Sequence, residues 1–162
     1  MDKEEILNEI EKTKEHLANM EKMLEKCDEK WKPEEGEIFY YLNSYNIAIS
    51  ETWNASYSDA GHYNIYNCFK TREQAEQEAE KVLVRRQLED IARRLNKGEN
   101  LDWSNNSQGK YYLYLWLGEE LEQHIASVRL IQGVIYCLDS NFLNVAIQEI
   151  GEERLKKYLR GE

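Results

Sequence analysis

The most constraining feature of the sequence is its first thirty residues. Ile6, Ile10, Thr13, Leu17, Met20, Leu24, Cys27 and Trp31 follow one another at alternating spacings of four and three, and most positions between them are Glu, Lys, Asp or Asn. That is a heptad seam with Ile10, Leu17 and Leu24 at one of its two apolar positions and Met20 at the other. A stripe this narrow cannot supply one wall of a globular core. The segment is predicted to be a single long helix that pairs with another helix, either its own copy in a homo-oligomer or one from the body of the protein. Self-association is the favoured reading, with Ile6, Ile10, Leu17, Met20 and Leu24 as the oligomerising residues. The helix ends at Lys32-Pro33, because the residue before a proline avoids the α region, and this is the only proline in the chain.

Beyond the proline the pattern changes. Gly36–Leu42 is rich in aromatic and β-branched residues and reads as a strand. Asn43–Asn46 is turn chemistry, and Ile47–Trp53 alternates as the returning strand of a hairpin. Asn54–Gly61 reads as a polar loop and Tyr63–Phe69 as a third strand. Thr71 and Gln74 form a capping box that opens a helix running to about Leu95, with Gly98 as its stop. Its apolar stripe moves from Ala75, Ala79 and Val82 to Val84, Leu88, Ile91 and Leu95, which implies a change of partner along its length. After a polar loop, Lys110–Leu117, Leu121–Leu130 and Gly133–Leu138 read as three more strands. Ser140 is the expected cap of a helix that Gly151 interrupts, and a short helix follows over Glu152–Leu159.

The two halves of the body repeat an order. GEIFYYL (36–42) aligns with GKYYLYL (109–115), and NIYNCFKT (64–71) with VIYCLDS (134–140). The expected class is therefore α+β: a coiled-coil-like N-terminal helix (1–32), then a duplicated βββα body with antiparallel sheet, its units spanning 33–98 and 99–162.

Three segments, WKPEEGEIFYYLNS (31–44), YNIYNCFKTREQAEQEAEKV (63–82) and EIGEERLKKYL (149–159), resemble an uncharacterised family of phage and prophage accessory proteins of Gram-positive bacteria. The shared marks are a Trp-Lys-Pro start, an Asn-Cys-Phe-Lys-Thr strand-to-helix junction and a Gly-Glu-Glu-Arg-Leu-Lys-Lys-Tyr ending. The resemblance implies an accessory protein in the cytoplasm of the bacterial host. It brings no catalytic residues with it.

Composition excludes several classes. The chain has 162 residues, and 31 acidic against 21 basic residues give a formal charge of −10. Direct nucleic-acid binding is not expected at that charge, nor does any stretch read as a membrane span or a secretory signal. Cys27, Cys68 and Cys137 are far apart and odd in number, which fits a reducing compartment. Neither they nor His16, His62 and His124 show metal-ligand spacing, and no cofactor is expected. The phosphate-loop, dinucleotide, nucleophile-elbow and zinc-protease motifs are absent. Asp59-x-x-His62 has the spacing of a general-base pair but stands alone, and Cys68 and Cys137 read as buried structural thiols. No catalytic residue is assigned, and the chain is read as non-enzymatic.

What stands out is 11 Tyr and 4 Trp against 3 Phe. Rings that stack bases beside cations that hold phosphate are the equipment of a nucleotide pocket. Trp53, Tyr57, Tyr63, Trp103 and Trp116, with Arg72 and Arg129, are the candidate ligand-binding residues. The leading expectation is sequestration of a nucleotide-type immune signal by a homo-oligomer. One alternative is an acidic inhibitor that blocks a host defence protein or nuclease by presenting carboxylates in place of phosphates. Another is a passive oligomeric adaptor. Of the net charge, −4 belongs to residues 2–30, with 10 acids and 6 bases, so the body is less acidic than the whole.

Overall fold

The computed structural model describes Lys14 and residues 30–117, 119–126, 131 and 133–162. The seam residues Ile6, Ile10, Leu17, Met20 and Leu24 lie outside the described residues, as does Arg129. The order of elements is β1 (Ile38–Leu42), β2 (Ala48–Thr52), α1 (Tyr57–Asn64), α2 (Arg72–Leu95), β3 (Lys110–Trp116), β4 (Glu120–Ala126), α3 (Phe142–Ile150) and α4 (Glu152–Arg160). The class is α+β, with two separate two-stranded antiparallel sheets, β1–β2 and β3–β4.

The first hairpin closes where Asn and Ser cluster. The Asn43 carboxamide oxygen accepts from the backbone N–H of Tyr45 at 2.9 Å and of Ile47 at 3.0 Å, and Asn46 takes the left-handed conformation that Asn tolerates. The Asn46 side chain then donates to the Ala79 carbonyl at 2.7 Å, tying the turn to α2.

Two of the expected strands do not form. The segment read as loop and third strand folds as α1, opened by a capping box in which Ser56 accepts from the Asp59 N–H and the Asp59 carboxylate accepts from the Ser56 N–H. Tyr66, with φ of 60°, then turns the chain out of the helix. Of this segment only Phe69 pairs with β1 through its backbone, in a single antiparallel bridge to Tyr40. In the second half Gly133–Leu138 likewise contributes one bridge among the described residues, Cys137 to Tyr111, and β4 spans Glu120–Ala126, residues 127–130 lying outside the described residues. Local β propensity is overridden in the first case by the Ser56 cap, which takes the chain as far as Asn64 into a helix, and by the left-handed Tyr66 that follows. The three-stranded units expected from the sequence are thus hairpins with one bridged residue.

A two-stranded sheet is marginal on its own and needs a helix over one face. α2 supplies it. It touches β1 and β2, and also α3 and α4. Val84, Leu88, Ile91 and Ala92 of α2 join Leu113, Cys137, Phe142, Ala146, Ile150 and Leu155 in the main core. The shift in stripe along α2 is this change of partner, from Ala75 near one end to the Val84–Ala92 set. The N-terminal capping box of α2 forms as expected at Thr71 and Gln74.

The expected Ser140 cap does not form. The residue before α3 is Asn141, which makes no capping bond. Gln123 of β4 does the work instead: its oxygen accepts from the Leu143 N–H at 2.9 Å and its amide donates to the Ser140 carbonyl at 2.9 Å. Gly151, at φ of 97°, makes the corner between α3 and α4 as expected. Among the described residues no helix is long and apolar enough to cross a membrane.

Candidate functional site

The sharpest concentration of cation–ring contacts lies where the chain enters the body. Lys30 Nζ sits 3.9 Å from the centre of the Tyr63 ring and 3.7 Å from that of Tyr66. Lys32 Nζ stands 5.8 Å over Trp53 and 5.7 Å over Tyr63. Tyr63 lies on the last turn of α1, and Tyr66 is swung outward by its left-handed backbone until 76% of its surface is exposed. The following residues are pinned. The Asn67 carboxamide accepts from the Leu42 N–H at 2.8 Å and donates to the Leu42 carbonyl at 2.7 Å, and Phe69 exchanges two backbone bonds with Tyr40.

Between this pinned segment and the first half of α2 lies a concavity of about 570 Å³. Lys30, Lys70 and Lys81 line it together with the rings of Trp31 and Tyr66, and among the described residues Glu78 is the sole carboxylate on its wall. A second concavity, of about 500 Å³, lies on the neighbouring side of α2 and shares Gln77 and Lys81 with the first. It is lined by Glu73, Glu76, Glu80 and Glu162 against Lys81, Arg154 and Lys157. Its charges largely neutralise one another, as in the Arg154–Glu80 pair at 2.6 Å. Only the first combines ring faces with an excess of ammonium groups.

Cys68 faces the first concavity. Burial pushes its thiol up to about 11, with Lys30 lowering it and Asp59 and Glu37 raising it further. At neutral pH it is a protonated thiol, a poor nucleophile. Burial also raises Cys137.

Asp59 and His62 do come together on one side of α1, but as structure. Asp59 is fully buried. Its Oδ2 accepts from the N–H of Asn54 at 3.0 Å and of Ser56 at 3.1 Å. Burial opposes its ionisation, but these donors, the Ser56 hydroxyl and the nearby His62 outweigh it and hold the carboxyl below its ordinary value. His62 stacks on Tyr41 at 4.0 Å. Asp59 Oδ1 and His62 Nδ1 are buried without a hydrogen-bond partner among the described residues, and neither residue lines the concavity above.

The ligand-binding residues expected from the sequence separate into two groups. Trp53 and Tyr63 meet edge to face at 6.3 Å, but Trp53 is 4% exposed and belongs to the packing around Phe39, 5.6 Å away. Tyr57 projects into solvent at 98% exposure. Arg72 is engaged by Glu76 at 2.8 Å. Trp103 and Trp116 lie in the other half of the body. Trp103 packs edge-on against Tyr136 at 5.0 Å with Lys110 Nζ 5.2 Å above it, and Trp116 stands beside Tyr114 at 6.5 Å.

No match was found. No protein-family model, no curated protein and no solved structure matches this chain. The residues of the concavity that the sequence reading passed over are Lys30, Trp31, Tyr66, Lys70 and Lys81. The lysines sit in segments so rich in alternating charge that nothing marks three of them as sharing a wall. No group of three or more metal-ligating side chains occurs among the described residues.

Proposed function

We propose that this chain is a non-enzymatic binding protein that sequesters a nucleotide-type anion. The observation that carries the reading is the concavity in which Lys30, Lys70 and Lys81 share a wall with the rings of Trp31 and Tyr66 against one carboxylate among the described residues, Glu78. Ammonium groups neutralise phosphate, and a ring face takes a base without demanding one sequence. The space is within the range of small-ligand sites. The local lysines offset the −10 of the whole chain at this spot.

The resemblance to phage accessory proteins gives the setting: a protein acting in the cytoplasm of the bacterial host against a nucleotide signal of host defence. The heptad seam of residues 6–24 would gather copies into a homo-oligomer. The finer architecture is read as a duplicated unit, in which hairpin, single bridge and helix follow in the same order twice: β1–β2, Phe69, α2 and then β3–β4, Cys137, α3.

The test is to purify the protein from cells in which a nucleotide-signalling defence has been triggered, denature it by heat and assay the supernatant for released nucleotide. Release that is abolished by the double substitution Lys70→Glu, Lys81→Glu supports the reading. A clean supernatant, with no binding of mono-, di- or cyclic dinucleotides by calorimetry, overturns it.

A further inference from the structure

The outward face of the second hairpin carries an ordered pattern that the nucleotide reading does not use. In the β3–β4 register Tyr112 stands opposite His124, Tyr114 opposite Glu122 and Trp116 opposite Glu120. Directly opposite residues in an antiparallel pair share a face. One strand therefore presents a row of rings, and the other a row of hydrogen-bond acceptors beside them. The rings are in contact along the strand: Tyr112 to Tyr114 at 6.1 Å and Tyr114 to Trp116 at 6.5 Å, with His124 edge-on to Tyr112 at 5.7 Å and to Tyr114 at 5.8 Å. The Tyr114 hydroxyl bonds the Glu122 carboxylate, which orients both.

The free end of this face is exposed and apolar at its tip. Trp116 is 53% exposed and Leu117 is 86% exposed. Leu117 is held at φ of 50°, a conformation a leucine rarely adopts. Glu119, Glu120 and Glu122 follow these two residues in sequence, and Glu120 stands opposite Trp116 across the pair. Among the described residues of the hairpin the one Lys or Arg is Lys110, which is fully buried at the opposite end of β3 and bonded to the Asn105 and Gln108 carbonyls.

We propose that this face is a docking surface for a basic segment of another protein, one that carries arginine side chains. Each ring–carboxylate pair offers a guanidinium both of the contacts it favours, a π face to stack on and a carboxylate to bond. Among the described residues no ion pair engages Glu119, Glu120 or Glu122, and their charge repels phosphate, so nucleic acid is the wrong partner for this face. Trp116 and Leu117 supply the apolar centre that such interfaces place inside a polar rim. This surface is distinct from the concavity on α2, and its test stands apart from that of nucleotide binding.

The experiment titrates the full-length protein with a short oligoarginine peptide by calorimetry, at low and at physiological salt, with circular dichroism to verify folding of each variant. Trp116→Ala is expected to weaken binding by about two- to fivefold, the scale of one exposed cation–π contact. Glu120→Gln is expected to weaken it more than Glu35→Gln, which removes the same charge from an exposed site remote in sequence from the hairpin. Glu120→Lys, also at an exposed position, is expected to abolish it. Equal affinity for wild type and Trp116→Ala, or equal effects of Glu120→Gln and Glu35→Gln, would reduce the binding to bulk charge and overturn the proposal. So would a change of oligomeric state in Trp116→Ala without peptide, since the face would then be covered by a second copy of this chain.

Discussion

Asp59 is the residue whose removal tests the local physics most directly. Its carboxylate closes the capping box of α1 and also holds the Asn54 N–H, so Asp59→Ala removes two hydrogen bonds to an ionised acceptor, at 3.0 and 3.1 Å. Each such bond contributes about 1.5–3 kcal/mol net. Relief of a buried charge whose other oxygen has no partner offsets part of this. The expected loss is about 3 kcal/mol, or a fall in Tm of about 6–12 °C for a domain of this size. Asp59→Asn keeps a neutral acceptor in the same place and is expected to lose about half as much. The sign with pH follows from the depressed carboxyl. The stabilisation is complete above the unfolded value, near pH 4, and disappears as the pH falls through the lower folded value. Urea unfolding followed by circular dichroism, at pH 7 and then in steps to below pH 3, should show the wild type converging on Asp59→Asn only in the acid range. A loss below about 0.5 kcal/mol for Asp59→Ala, or a gap between wild type and Asp59→Asn that stays constant with pH, would refute the assignment of Asp59 as an ionised cap.

Three further outcomes are expected. Lys110→Met removes the Nζ donor from the Gln108 carbonyl and leaves the Asn105 carbonyl with the Gln108 N–H alone, and should cost about 2 kcal/mol, with faster hydrogen exchange confined to residues 100–109. Gln123→Leu removes the side chain that caps α3 and should cost about 1 kcal/mol, read as a lower urea midpoint with an unchanged slope. With its thiol near 11, Cys68 should react with iodoacetamide at pH 8 about a hundredfold more slowly than an unperturbed cysteine, by site-resolved mass spectrometry, and unfolding should abolish the difference.

What the sequence made legible was whatever is decided within a few residues. The Thr71–Gln74 cap, the Asn43–Asn46 turn and the Gly151 corner are all set by local hydrogen bonding or by φ. α1 was hidden although Ser56-x-x-Asp59 has the spacing of a capping box. The helix that follows is short, contains Gly61 and has no apolar stripe, so no periodicity confirmed the cap. The Tyr63–Phe69 stretch has strand composition, yet one left-handed residue, Tyr66, removes most of it from the sheet. The Ser140 cap failed because its replacement, Gln123, comes from a strand twenty residues away in sequence. The candidate site was legible only in kind. Rings and cations do meet, but through Lys30, Lys70 and Lys81, whose shared wall exists only once α2 packs beside the chain entry. Trp53, the most conspicuous aromatic of the first half, was taken by the interior.

The stacking of His62 on Tyr41, at 4.0 Å with the planes 26° apart, offers a built-in reporter. A ring lying face to face with another feels its circulating current, so the carbon-bound imidazole protons of His62 should resonate upfield of their free position. His124 meets its two tyrosines edge-on and should not be shielded in the same way. Those sharp aromatic lines make the first hairpin observable in a one-dimensional proton spectrum of unlabelled protein. Because Tyr63, which Lys30 caps, follows His62 directly in α1, displacement of that lysine by an incoming ligand can be watched at a single resonance.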